Sequence, residues 1–303
     1  MCGYPHKNQL GLELKIILSI ENDEEPKENT ELEMTPTNPL YLGILILTGA
    51  FTGIISGLLG VGGGFIMSPI QYWLLQETGL QPDLALRMAL GTSLFVVLLN
   101  SISVTLKYQQ KQAVLWKQAK IMGISGALFS FGGAVVASHL PASTLSTIFG
   151  IVVIIGALRT YMTPAFKEKD KISSNPVSYI FAGISIGFFS GLLGIGGGVL
   201  GVPIMLIFLH FDMRKAVGTS AAVIIFTSFG GSIGYVINGW GQPGLPSYSL
   251  GYINLLNWIL LAVPGFLAAR KGAEVAHLVN PEHLKHLFVL LMTYAGLKMI
   301  GVV

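Results

Sequence analysis

Gly53-Ile54-Ile55-Ser56-Gly57-Leu58-Leu59-Gly60-Val61-Gly62-Gly63-Gly64, with Pro69 just beyond it, is the stretch that decides how this chain folds. It returns as Gly187-Phe188-Phe189-Ser190-Gly191-Leu192-Leu193-Gly194-Ile195-Gly196-Gly197-Gly198, followed by Pro203. Nine of the twelve positions are identical and the other three exchange apolar for apolar. Both copies lie inside long uncharged apolar runs. Continuing a helix through three successive glycines would cost roughly 1 kcal/mol per glycine relative to alanine. Each run therefore reads as a helix that stops at the glycines and starts again after them.

Composition says what surrounds these breaks. Of 303 residues, 52% are hydrophobic and 11% charged; a soluble domain carries about 25% charged residues. The apolar runs do not alternate as barrel strands would. The chain therefore reads as an all-α polytopic membrane protein. The net charge of +3 gives no reason to expect nucleic acid. Cys2 is the single cysteine, so neither an internal disulfide nor a cysteine-based metal site is available. Inside a bilayer, broken helix is tolerated where it is buried in protein or lines a polar cavity. Matching breaks in two halves of a chain point to a transporter's binding site.

Residues 1–39 form an acidic tail expected to be disordered, with seven acidic residues and one Lys between Glu21 and Glu33. No signal peptide is expected, because Glu13 and Lys15 interrupt the early apolar stretch. Residues 40–163 make the first membrane repeat. It holds a span to Leu59, the break, a short piece from Phe65 to Leu75, and spans at 88–106, 121–138 and 143–162. A Lys-rich linker, 164–176, leads to the second repeat, 177–303. There Arg214-Lys-Ala-Val-Gly218-Thr219-Ser220 matches Arg87-Met-Ala-Leu-Gly91-Thr92-Ser93. Each half is thus a glycine-broken helical pair plus three transmembrane helices, about ten membrane segments in all. Loop 107–120 is basic and reads as cytoplasmic, whereas its equivalent, 238–251, has no Lys or Arg. Turn 139–142 has none, but its equivalent, 270–286, has Arg270, Lys271 and Lys285. The two repeats are therefore expected to be inverted in the membrane, with both termini outside.

The doubled Ser-Gly-Leu-Leu-Gly-x-Gly-Gly-Gly motif, each copy followed by a proline and an Arg-x-Ala-x-Gly-Thr-Ser helix start, resembles the TauE/SafE family of membrane transporters. The resemblance covers roughly residues 40–303. It implies export of a small sulfur-containing anion, such as sulfite or an organosulfonate, at the cell membrane.

The residues themselves suit an anion. Backbone N–H groups in a glycine-rich turn form a concavity for negative charge, and the helix starting after each turn adds a partial positive charge. The candidate substrate ligands are Gly60, Gly62, Gly63, Gly64 and Ser56 in the first copy, and Gly194, Gly196, Gly197, Gly198 and Ser190 in the second. Thr92, Ser93, Thr219 and Ser220 add hydroxyls at the next helix. Asn100 and Thr227, with Ser101 and Ser228 beside them, lie about two helical turns further on. The competing reading of the glycines is close helix packing, since Gly53-x-x-x-Gly57 and Gly187-x-x-x-Gly191 have small-residue spacing. Arg87, Arg214, Arg159 and Lys298 read as interfacial anchors.

No Asp or Glu falls inside a span, which argues against a cation carrier. Gly123-Ile-Ser125-Gly126 and Gly183-Ile-Ser185-Ile-Gly187 look like serine-hydrolase patterns. A serine hydrolase needs a histidine within reach, and the six histidines sit in the tail or at helix ends. No enzyme activity, metal or cofactor is expected. The expected partners are the small anionic substrate, the lipid bilayer and, as a possible assembly, a second copy in a homodimer. The alternative function is an anion channel using the same site without alternating access.

Overall fold

The structure, a computed structural model, describes residues 38–162, 175–276 and 281–301. The acidic tail to residue 37 and linker residues 163–174 lie outside them. Ten helices carry the described residues: α1 (Pro39–Leu59), α2 (Gly64–Glu77), α3 (Pro82–Gln110), α4 (Trp116–His139), α5 (Ala142–Met162), α6 (Pro176–Leu193), α7 (Gly198–Ile207), α8 (Met213–Gly239), α9 (Leu255–Val275) and α10 (Pro281–Ile300). Between α8 and α9, β1 (Ser249–Leu250) and β2 (Ile253–Asn254) form a short antiparallel ladder; β1 falls in the loop expected at 238–251, and β2 replaces the start of the span expected from Tyr252 to Ala269. Six helices (α1, α3, α4, α5, α6 and α8) are long and apolar enough to cross a bilayer. Their outward faces carry bare apolar side chains such as Leu47, Leu128 and Phe181. The protein is a multi-pass membrane protein.

Local chemistry sets the helix ends. Asn38 and Asn175 cap α1 and α6 by accepting the N–H of Leu40 at 2.9 Å and Val177 at 3.0 Å. In both cases proline occupies the first turn, where its missing N–H is not needed. Asp212 and Asn254 cap α8 and α9 in the same way. Asp83, on α3, accepts the N–H of Ala142 at 2.7 Å and so caps α5 from another helix. The pieces after the glycine clusters are helices of 14 and 10 residues. Two expected connections are shorter than their polarity suggested. α3 begins at Pro82 and α9 runs on to Val275, because polar residues continue a helix beyond its apolar stretch.

Neighbouring helices meet through glycine. α4 runs parallel to α6, with Met122 against Gly183, Gly126 against Gly187 and Ser130 against Gly191. α1 runs parallel to α9 by the same device: Gly49 meets Leu261, Gly53 meets Gly265 and Gly57 meets Ala269. The fourth helix of each half thus packs on the first helix of the other half. The corresponding helices α3 and α8 cross antiparallel, with Gly91 beside Tyr235, Leu94 beside Gly231 and Tyr108 beside Gly218. α5 and α10 also pair antiparallel, through Gly150 with Gly296 and Gly156 with Met292.

This arrangement sorts the connections. At the start of α3, the Arg87 guanidinium donates to Leu140 O at 3.3 Å, and Leu84 lies beside Gly244. Turn 139–142 and the uncharged loop before α9 therefore meet at this end. At the other end of α3, Lys107 pairs with Glu274 of α9, next to Arg270 and Lys271. The basic segments gather there.

The glycine seams give a direct stability test. A Cβ added at Gly187 would press into the Gly126 backbone, whereas one at Gly132 meets nothing within 4 Å. Overpacking of this kind costs about 1–3 kcal/mol. Gly187→Ala is expected to lower the melting temperature in detergent, and Gly132→Ala to leave it unchanged; equal melting would contradict the seam.

Candidate functional site

Each break is a chain reversal written in positive φ. Gly60, Gly62 and Gly63 have φ of 66°, 81° and 79°; Gly194, Gly196 and Gly197 have 65°, 82° and 86°. Only glycine adopts these angles without strain. α1 ends with the Gly60 N–H on Ser56 O at 2.8 Å, and α2 starts with Met67 N–H on Gly63 O at 3.2 Å. In the second copy the Gly201 N–H reaches Gly197 O at 2.7 Å. Gly63 folds back against Thr52, and Gly197 against Ile186 and Ser190.

The two breaks touch. An added Cβ at Gly64 would lie 2.8 Å from Gly194 O, and one at Gly198 would meet Val61. The first residue of each post-break helix therefore abuts the opposite break, and residues 59–65 and 190–199 are buried throughout. The candidate glycines and serines form one group around this contact.

The remaining candidates divide by how their hydroxyls are used. Thr92 accepts the N–H of Asn254 at 2.9 Å, and Thr219 accepts that of Leu115 at 3.1 Å. Both tie down the chain where it crosses to the other half. Ser93 accepts from Gln71 Nε2 at 2.7 Å, and Ser220 donates to Gly60 O at 3.3 Å. Thr227 donates to Gly196 O at 2.9 Å and so steadies the second break. Asn100, its counterpart, lies beside Gly265, and neither its Oδ1 nor its Nδ2 has a partner.

Other buried hydroxyls are also unpartnered. Ser56 and Ser190 flank the breaks; Ser101 and Thr105 lie one turn apart on α3, as do Ser228 and Ser232 on α8. All six are at most 4% exposed. Buried hydroxyls normally find a partner, often the carbonyl one turn back. The same positions are unpaired in both halves. Ser228 Oγ lies 3.2 Å from where a Gly196 Cβ would stand.

Sequence reading missed several residues that bear on the site. Tyr108 OH donates to Gly57 O at 3.4 Å, and Tyr235 OH donates to Gly191 O at 2.9 Å. Each ties a central helix to the turn just before a break. Both sit at the same distance past the Gly-Thr-Ser sequence, so carrying the repeat alignment further along would have found them. Thr105 and Ser232 match in the same way. Ser68 and Gln71, buried on α2, have no polar counterparts on α7, where Val202 and Met205 stand.

A cavity of about 420 Å³ lies elsewhere, between α1, α2 and α10. Its walls include the exposed side chains of Leu47, Trp73 and Tyr294, which are placed to face lipid. Among the described residues, no group of three or more His, Cys, Asp and Glu side chains could hold a metal ion.

Residues 45–299 match the family described as Sulfite exporter TauE/SafE. A probable membrane transporter protein of Methanocaldococcus jannaschii is 34% identical over 266 residues, covering 86% of this chain and 96% of the relative. A probable membrane transporter protein of Haemophilus influenzae is 28% identical, covering 86% of this chain and 98% of its own length. The probable membrane transporter protein YunE of Bacillus subtilis is also 28% identical, over 85% and 96%. No solved structure matches the chain. With the doubled break inside the matched region, the chain belongs to the TauE/SafE family of membrane transporters.

Proposed function

We propose that the protein exports a small sulfur-containing anion, of the sulfite or sulfonate type, through a site built by the two glycine breaks. The observation that carries this reading is the pair of post-break helix starts meeting at one buried point, with the unpartnered hydroxyls of Ser56, Ser190 and Ser228 beside the breaks. Two helix N-termini supply about one positive charge between them. That matches a monoanion without burying a cation, and the hydroxyls of Ser56, Ser101, Ser190 and Ser228 are donors awaiting an acceptor. The family name points to the same class of substrate.

The halves act as two inverted copies of a five-segment unit, giving about ten membrane segments. Antiparallel pairing of α3 with α8 and of α5 with α10 supports this, as does the gathering of basic segments at one end. The contacts of Tyr108 and Tyr235 would then lie towards opposite faces of the membrane and alternately hold and release each break. Close packing around the breaks favours a carrier over an open channel. The anion, the lipid bilayer and a second copy in a homodimer are the proposed partners, with the cell membrane as the location.

Three outcomes follow from this reading. Ser56→Ala and Ser190→Ala should each lower sulfite transport in proteoliposomes, because a hydrogen bond to a charged group contributes about 1.5–3 kcal/mol. That corresponds to roughly 10- to 100-fold. Neither change should lower the melting temperature, since each removes a buried oxygen that has no partner; full activity in both variants would count against the site. With Cys2 replaced, cysteines at Gln112 and Gln242 should react with impermeant thiol reagents from opposite faces of the membrane. Labelling from one face would end the inverted arrangement. Among the described residues the acidic side chains stand at helix ends, so transport should not depend on Na⁺; strict Na⁺ dependence would require a coupling site that this reading does not contain.

A further inference from the structure

The concavity expected of each break is filled by side chains from the central helices. A Cβ at Gly62 would stand 2.6 Å from Val97 Cγ1, and a Cβ at Gly196 would meet the same methyl group. The Gly196 position is also 3.0 Å from Ile224 Cγ2, and the Gly198 position 2.8 Å from Ile224 Cδ1. Val97 is 0% exposed and Ile224 1%. The two residues are counterparts: Val97 follows Ser93 by four positions, and Ile224 follows Ser220 by four. Two serines share this neighbourhood, with Ser228 Oγ beside Gly196 and the Ser190 side chain, next to Ile186, beside Gly197. Two apolar plugs, one from each half, therefore stand against the glycines of the breaks.

From this juxtaposition we infer that Val97 and Ile224 set the size of the anion the site accepts. The inference rests on the anion-transport reading. An anion approaching the glycine backbone must displace the methyl groups that touch it. Both side chains are β-branched and stiff at χ1, and both sit inside packed helices, so they cannot simply rotate aside. They withdraw only as far as their helices move. A compact oxyanion needs little withdrawal, whereas a bulky organic sulfonate needs more. Trimming either plug should relax the limit.

The test compares sulfite, methanesulfonate and benzenesulfonate transport in proteoliposomes holding the wild type, Val97→Ala, Ile224→Ala or Val97→Thr. One methylene in an apolar pocket discriminates by about 10-fold or more. Each alanine variant is therefore expected to raise the benzenesulfonate-to-sulfite ratio by about 10-fold or more. Val97→Thr keeps the shape and should keep the wild-type ratio. Should the alanine variants fail to fold, Val97→Ile keeps the core filled and must lower the ratio. Wild-type vesicles that move none of the three anions overturn the transport reading and the size limit with it. Wild-type transport with an unchanged ratio in folded Val97→Ala and Ile224→Ala overturns the size limit alone, as does a ratio that Val97→Thr shifts as far as alanine does.

Discussion

Backbone meets backbone where Gly64 abuts Gly194 and Gly198 abuts Val61, and the rest of the structure is arranged around that contact. Two chain reversals can come into backbone contact only because the residues that approach, Gly64 and Gly198, carry no side chain. Positive φ at three positions in each copy, and the lack of a Cβ, permit that contact together. Reversed chain buried in a membrane protein must also satisfy its polar groups locally. The Thr227 bond to Gly196 O and the Ser220 bond to Gly60 O do so from the facing central helix.

The contact is braced by the exchange of helices between halves. α4 lies on α6 and α9 on α1, so each broken helix is clamped by a helix from the other repeat. Lipid tails are as apolar as leucine, so burying apolar area does not drive helices together within a bilayer. Close approach through small residues does. Glycine therefore has two separate duties here: those at the breaks allow a reversal, while Gly53, Gly126, Gly187 and Gly265 bring helix axes together. Thr92 and Thr219 hold the crossovers by binding the first N–H groups of the exchanged segments.

Buried hydroxyls among the described residues are either committed or open. Thr92 and Thr219 are committed to crossovers, and Ser220 and Thr227 to break carbonyls. Among the open ones, Ser56, Ser101 and Thr105 are matched in the second repeat by Ser190, Ser228 and Ser232. An unpartnered buried polar atom costs stability, so keeping them in duplicate suits a surface that is hydrogen-bonded only when something occupies it.

The repeat, the helical class and the position of both breaks were legible in the sequence, because glycine triplets, runs without charge and Lys/Arg counts are local signals. The candidate serines and glycines were legible for the same reason. What no local signal carried is which segments touch. That α4 packs on α6 rather than on α3 depends on Gly126 and Gly187, far apart in the chain, finding one another. The division between Thr92, tied to Asn254, and Ser101, tied to nothing, is equally invisible in a sequence where both are simply hydroxyls on one helix. Val97 and Ile224 read as ordinary apolar span residues. Only the folded chain sets their methyl groups against the glycines, because a side chain's surroundings come from helices that meet in space, not from its neighbours in the chain.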